Sequence, residues 1–71
     1  MTLYEYLLKY RHQEVLKKFK IKPEDVEEHI RVYELFYTTD GDASVEDIIR
    51  LIQRPKASIY RIVRKLNIEL P

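Results

Sequence analysis

Residues 54–66 read RPKASIYRIVRKL, and this stretch combines an apolar stripe with a cationic face. The aliphatic residues recur at helical spacing and cluster on one side of a helical wheel: Ile59, Ile62, Val63 and Leu66. The other positions hold five basic residues and no acidic one. The stretch therefore predicts a helix that packs on a core by one face and offers cations to an anionic partner by the other.

The residues just upstream predict a second helix that forms a pair with the first. Ser44 and Asp47 fit a helix cap, and the apolar residues that follow at helical spacing are Val45, Ile48, Ile49 and Ile52. QRP at residues 53–55 turns the chain, and Pro55 suits the first turn of the next helix. Residues 44–67 therefore predict a helix-turn-helix, whose second helix lies in the DNA major groove.

The N-terminal half predicts two further helices. Thr2 and Glu5 fit a capping box that starts a helix over about residues 2–19. KIKP at residues 20–23 ends it, and Pro23 suits the first turn of a helix that runs to about Thr38. The sequence thus predicts one all-α domain, residues 1–71, built as a bundle of about four helices. Any extended segment should be confined to IELP at the C-terminal end.

The segment SVEDIIRLIQRPKASIYRIVRKL resembles the helix-turn-helix of winged-helix transcription regulators. Many of these read Pro-Lys-Ser-Thr-hydrophobic-x-Arg into the recognition helix. Here Pro55, Lys56, Ile59 and Arg61 match, while Ala57 and Ser58 occupy the serine and threonine positions. The resemblance covers about residues 30–66. It implies sequence-specific binding of double-stranded DNA by a transcription regulator, with helix 56–67 in the major groove.

The chain departs from that family at four points. Gln53 replaces the turn glycine, so either this residue adopts a positive φ or the turn differs. Arg54 stands where an apolar residue is usual, and Ile49 stands where the family often has a small one. After Leu66 only NIELP remains, so the wing is absent or vestigial. The fold is therefore a wingless version, or the chain is the first domain of a longer protein.

The net charge of +1 conceals a strong partition. Residues 1–20 carry five basic and two acidic groups, and residues 21–49 carry two basic and nine acidic groups. Residues 50–65 carry six basic groups and no acidic group. On the helical wheel Arg61 lies at the centre of the outward face, where it should meet a base edge. Arg54 and Lys56 should meet phosphates, whereas Tyr60 either contacts DNA or covers the edge of the core. The predicted contact set is Arg54, Lys56, Ala57, Ser58, Tyr60, Arg61, Arg64 and Lys65.

The first predicted helix has more apolar surface than one core-facing stripe requires. One arc holds Leu3, Tyr6, Leu7 and Tyr10, and a second arc lies on the other side of the wheel. Either both arcs pack inside the monomer, or one is exposed and forms a homodimer. A homodimer suits DNA binding because two recognition helices about 34–36 Å apart read successive major-groove faces.

Other classes of function find little support in the sequence. The absence of cysteine indicates a reducing compartment, and with no signal peptide or membrane span the expected location is cytoplasmic. His12 and His29 have no second ligand at metal spacing, and we expect no catalytic residue, cofactor or small-molecule substrate. The scarcity of Gly, Asn, Gln and Met leans toward a heat-adapted source. The alternative function is a protein–protein adaptor that docks an acidic partner, or a domain of replication or partition machinery, on the same scaffold.

Overall fold

The computed structural model describes residues 1–38 and 45–71, and these residues form helices with no named strand. The prediction of an all-α fold is confirmed. Ser44, the predicted cap of the third helix, lies outside the described residues. Among the described residues, no helix combines the length and apolarity needed to cross a membrane. The elements are α1 (Leu3–Lys9), α2 (Gln13–Lys18), a 3-10 turn (Pro23–Asp25), α3 (Val26–Thr38), α4 (Val45–Ile52) and α5 (Lys56–Leu66).

The prediction of one continuous helix over residues 2–19 is wrong, because the chain breaks between α1 and α2. The predicted capping box of Thr2 and Glu5 is present, but Tyr10 adopts an extended backbone conformation. In a continuous helix the carbonyl of Leu7 would accept from the backbone N–H of Arg11. Here it accepts from the Arg11 side chain at 3.3 Å, and the same guanidinium pairs with Glu27 of α3. A tertiary contact thus stabilises a break that no proline or glycine marks.

The end of α2 is a Schellman motif built without glycine. Lys20 takes a positive φ of 56°, and the N–H of Ile21 donates to the carbonyl of Leu16 at 2.8 Å. The side chains of Ile21 and Leu16 are both buried in the core cluster. This turn redirects the chain towards Pro23 and brings Lys20 back towards α5.

The core lies between α3, α4 and α5, which pack against one another, while α1 packs on α3 and α5. Tyr4 of α1 stacks on Tyr33 of α3 at 4.2 Å between ring centroids. The Tyr4 hydroxyl donates to Glu34 at 2.7 Å, and this bond, together with burial, raises the pKa of Tyr4 to about 12. The buried apolar residues are Leu3, Leu7, Leu16, Ile21, Val26, Ile30, Val32, Ile48, Ile59, Ile62, Val63 and Leu66.

The apolar stripe predicted for the last helix is confirmed, since all four of its members are buried. After α5 the chain turns back beside the N-terminus, where a single antiparallel bridge pairs Thr2 with Glu69. The N–H of Leu3 donates to the Ile68 carbonyl and the N–H of Leu70 to the Met1 carbonyl, both at 2.8 Å. Among the described residues, Glu69 of this bridge lies in IELP as predicted, whereas its partner Thr2 lies at the N-terminus, outside the predicted segment.

Candidate nucleic-acid interface

The outward face of α5 carries most of the predicted DNA-contact residues. Lys56, Ala57, Tyr60, Arg61 and Arg64 are exposed, and Ser58 and Lys65 are half-buried on one flank. The opposite face of the same helix supplies four buried residues to the core. Because the core fixes this helix on one side, its cationic side chains project from a rigid support.

The turn before α5 spans residues 53–55 and uses a residue other than glycine at its tightest point. Gln53 has a φ of 63°, and its N–H donates to the Ile49 carbonyl at 2.7 Å. Of the two alternatives left open for this position, the positive φ is the one observed. Pro55 then precedes Lys56 as the N-cap of α5, and the fixed φ of proline suits this entry.

Arg54 points into the protein rather than towards an outward partner. Its guanidinium pairs with Glu28 and lies 3.9 Å from Asp25, and about a third of each of the three side chains is exposed. The contact ties the turn to the beginning of α3.

Tyr60 lies on the other flank of α5 and covers the edge of the core, while its contact with DNA stays a prediction. Its ring is 43% exposed, and its edge meets the ring of Phe36 at 6.0 Å between centroids. The Lys56 ammonium lies 5.9 Å from the centre of the Tyr60 ring. Tyr60 thus covers the edge of the core while it holds a cation on the outward side.

Two basic residues that the sequence reasoning missed lie beside α5. Lys18 and Lys20, from the end of α2, border a shallow groove together with Arg61, Arg64 and Lys65. Residues 1–20 carry an excess of three positive charges, and this excess was the sequence feature that could have pointed to Lys18 and Lys20. The helical wheel of α5 could not reveal these two lysines, because only the folded chain brings residues 18–20 beside α5.

A deeper cleft of about 170 Å³ opens on the Ser58 flank of α5. It is lined by Lys20, Asp25, His29, Ser58, Arg61 and Lys65, and Arg54 and Ile62 complete its wall. Burial lowers the pKa of Lys65, and the charges of Arg61 and Lys20 lower it further. Burial also lowers the pKa of His29, although the backbone hydrogen bond to Asp25 opposes that shift.

The residues predicted to form a dimer interface do not lie on one exposed surface. Leu3 and Leu7 are completely buried in the core, so the prediction that they line an interface is wrong. The break after Lys9 lets α1 settle against α3 and α5 by this arc. Tyr10 remains 48% exposed, while the half-buried Tyr6 bonds to Nδ1 of His12 at 3.0 Å.

Within residues 1–38 and 45–71, no group of three or more His, Cys, Asp and Glu side chains could hold a metal ion. His29 is buried, and its Nδ1 lies 2.9 Å from the backbone carbonyl of Asp25, so Nδ1 carries the proton.

Comparisons with protein-family models, with curated proteins and with solved structures returned no match.

Proposed function

We propose that the chain binds double-stranded DNA in a sequence-specific manner as a transcription regulator, with α4 and α5 acting as a helix-turn-helix. In this arrangement α5 enters the major groove with its first turns towards the base edges. Activator or repressor sense depends on where the bound site lies relative to a promoter. A homodimer would place two copies of α5 on the two halves of a palindromic site.

The observation that carries the proposal is the uncompensated cationic surface around α5. Of the six basic residues between positions 50 and 65, Arg50 pairs with Asp47 and Arg54 pairs with Glu28. The other four form no ion pair within the described part of the chain, and Lys18 and Lys20 extend their surface. A concentration of cations on one rigid face is the electrostatic footprint of a nucleic-acid-binding protein.

The geometry supports a division of labour on α5. Arg61 projects from the centre of the exposed face, so it should bind a base edge, with guanine favoured by its bidentate geometry. Lys56 stands at the start of the helix beside Tyr60, where it should bind a phosphate. Ala57 permits close approach of the backbone to the duplex. Arg54 contributes to binding indirectly, because its pairing with Glu28 positions the turn.

Binding isotherms at several salt concentrations test this division, using a duplex selected from a random pool and a scrambled duplex. Replacing Arg61 with Ala should cost about 1–3 kcal/mol on the selected duplex and relax the preference at one base pair. Replacing Lys56 with Ala should weaken binding to both duplexes alike and lower the salt slope by about one unit. Ala57→Glu should abolish binding, and because Ala57 is exposed, the circular dichroism spectrum should not change.

Two results would contradict the proposal at different levels. Equal losses for Arg61→Ala and Lys56→Ala on both duplexes would remove the assignment of Arg61 to the groove. Parent-like binding by all three variants would show that the cationic face is only a solvated surface.

A protein–protein adaptor is the second candidate, and a feature on another face favours it. Leu51 of α4 is 55% exposed and lines a recess with Ile52, three acidic side chains and one basic side chain, which are Glu24, Glu27, Glu28 and Arg31. An exposed leucine bordered by carboxylates suits a partner segment that is both apolar and basic. Loss of partner binding on Leu51→Glu, with duplex binding intact, would support this second role.

A further inference from the structure

The cleft beside Ser58 gathers basic side chains from three parts of the chain. Lys20 comes from the turn after α2, His29 from α3, and Arg61 and Lys65 from α5. Asp25 is the one carboxylate among the lining residues, and it lies 3.9 Å from the Arg54 guanidinium. The fold therefore encloses more positive than negative charge at this point.

Holding these cations together costs free energy in the unliganded protein. Lys65 is half-buried, and like-charged neighbours within a partly desolvated cleft disfavour its ammonium form. None of Lys20, Arg61 and Lys65 forms an ion pair within residues 1–38 and 45–71. An anion in the cleft would relieve this repulsion, because it interacts favourably with all of them at once.

We propose that this cleft binds one phosphate group through Lys20, Ser58 and Lys65, with His29 at its base. The volume of about 170 Å³ exceeds the roughly 30 Å³ occupied by one water molecule, so the cleft has room for a tetrahedral anion and water. The two ammonium groups supply charge, and the Ser58 hydroxyl supplies a neutral donor.

His29 adds a donor that depends on its protonation. Its Nδ1 proton is committed to the Asp25 carbonyl at 2.9 Å, so Nε2 of the neutral ring is an acceptor and becomes a donor when it gains a proton. The charges that oppose this proton come from Lys65 and Arg54, and Asp25 favours it. A bound phosphate should therefore increase the fraction of protonated His29.

The phosphate has two possible carriers, the backbone of a DNA duplex or a free phosphorylated molecule. Binding of a duplex phosphate rests on the proposed function, whereas phosphate binding by the cleft does not. If the DNA backbone is the carrier, α5 lies in the major groove while its Ser58 flank contacts a phosphate of the strand that borders the groove. One phosphate is then shared by two lysines that lie 45 positions apart in the sequence.

The first test titrates inorganic phosphate into the protein and follows the ring signals of His29 by NMR. The shifts should saturate in the parent, and Lys20→Met and Lys65→Met should each weaken the apparent affinity by about tenfold. Lys9→Met is the matched control, because it removes an exposed lysine of α1 that lines none of the described clefts. Thermal melts of all variants establish that they are folded.

The second test measures duplex binding against salt concentration. Because Lys20 and Lys65 hold the same phosphate, the double variant Lys20→Met/Lys65→Met should lower the salt slope by about one unit rather than two. A slope lower by about two units would overturn the shared site, because the two lysines would then hold separate phosphates. Variants that bind the duplex like Lys9→Met would exclude the duplex backbone as the carrier, and the cleft would then stand only if inorganic phosphate gave saturable His29 shifts. Saturable phosphate shifts without duplex binding would keep the cleft and refute the proposed function. If neither inorganic phosphate nor duplex moves the His29 signals, the cleft binds no phosphate.

Discussion

At the scale of single residues, Arg54 determines how the turn is held against α3. Its guanidinium contacts Glu28 and lies near Asp25, both in the stretch where α3 begins. Each side chain is about one-third exposed, so solvent screens the pair and its contribution is modest.

Arg54→Ala should lower the free energy of unfolding by about 1 kcal/mol. A double-mutant cycle with Glu28→Gln, measured by urea unfolding, should return most of this loss as coupling energy. Arg50→Ala is the matched control, because within residues 1–38 and 45–71 Arg50 forms an ion pair only with Asp47 of its own helix and is largely exposed. A coupling energy near zero would show that the turn is held by packing alone.

His29 links the stability of the fold to pH. Burial is the main cause of its lowered pKa, so the folded protein favours the neutral ring more than the unfolded chain does. The stabilisation from neutral His29 is complete above the unfolded pKa of about 6.5 and is lost as the pH falls towards the lower folded pKa.

Between about pH 7.5 and pH 5 the parent should therefore lose more stability than His29→Asn, which removes the titration but keeps a donor near the position of Nδ1. Urea unfolding of both proteins across this range measures the difference. Parallel curves would mean that the His29 ring is as easily protonated in the folded protein as in the unfolded chain.

At the scale of the elements, two helix ends rely on positive φ angles at residues other than glycine, Lys20 and Gln53. The left-handed region costs an L-residue about 1–2 kcal/mol relative to the right-handed region. Gln53 is exposed, and its side chain forms no hydrogen bond within the described residues. A substitution at residue 53 can therefore remove the free-energy cost of the positive φ without loss of packing.

Gln53→Gly should raise the free energy of unfolding by about 0.5–1 kcal/mol, once the greater freedom of glycine in the unfolded chain is deducted. Gln53→Ala is the control, since it shortens the side chain without making the positive φ easier. Thermal and urea unfolding measure both variants. If glycine destabilises the protein, the backbone at residue 53 does not carry the strain that its φ implies.

The sequence predicted α5 well because this helix has a proline at entry and an apolar period that matches its buried face. It failed in the N-terminal third, where Arg11 at the break between α1 and α2 pairs with Glu27, a contact between segments that are distant in sequence. For the same reason Leu3 and Leu7 were predicted as interface residues. A helical wheel of an unbroken helix places them on a surplus arc, whereas the broken helix buries them.

At the scale of the whole molecule, the charge partition of the sequence becomes a partition of surfaces. Positive groups from both ends of the chain meet around α5, and the acidic start of α3 contributes Asp25 and Glu28 to hold Arg54. Lys18 and Lys20 could not be assigned to this surface from α5 alone, because the turn after α2 places them there. The formal charge of +1 therefore understates the attraction of this face for an anion.

The homodimer remains a prediction, and the fold changes how it must be tested. Leu7→Glu would place a carboxylate in the core, so it would unfold the chain rather than separate two copies. Tyr10 is the member of the predicted interface with the most exposed side chain, whereas Leu8, 50% exposed, belongs to the other arc of the first predicted helix. These two positions therefore allow the arcs to be tested separately in a folded protein.

We expect light scattering to give twice the chain mass of 8.7 kDa for the parent at high micromolar concentration. Tyr10→Glu should weaken the dimer at least about tenfold, because a buried aromatic side chain contributes strongly to an interface, while Leu8→Glu should leave it intact. The reverse pattern would move the interface to the arc of Leu8. A parent that stays monomeric would refute the homodimer, and the selected DNA sequence should then show single sites with no partner site at a fixed spacing.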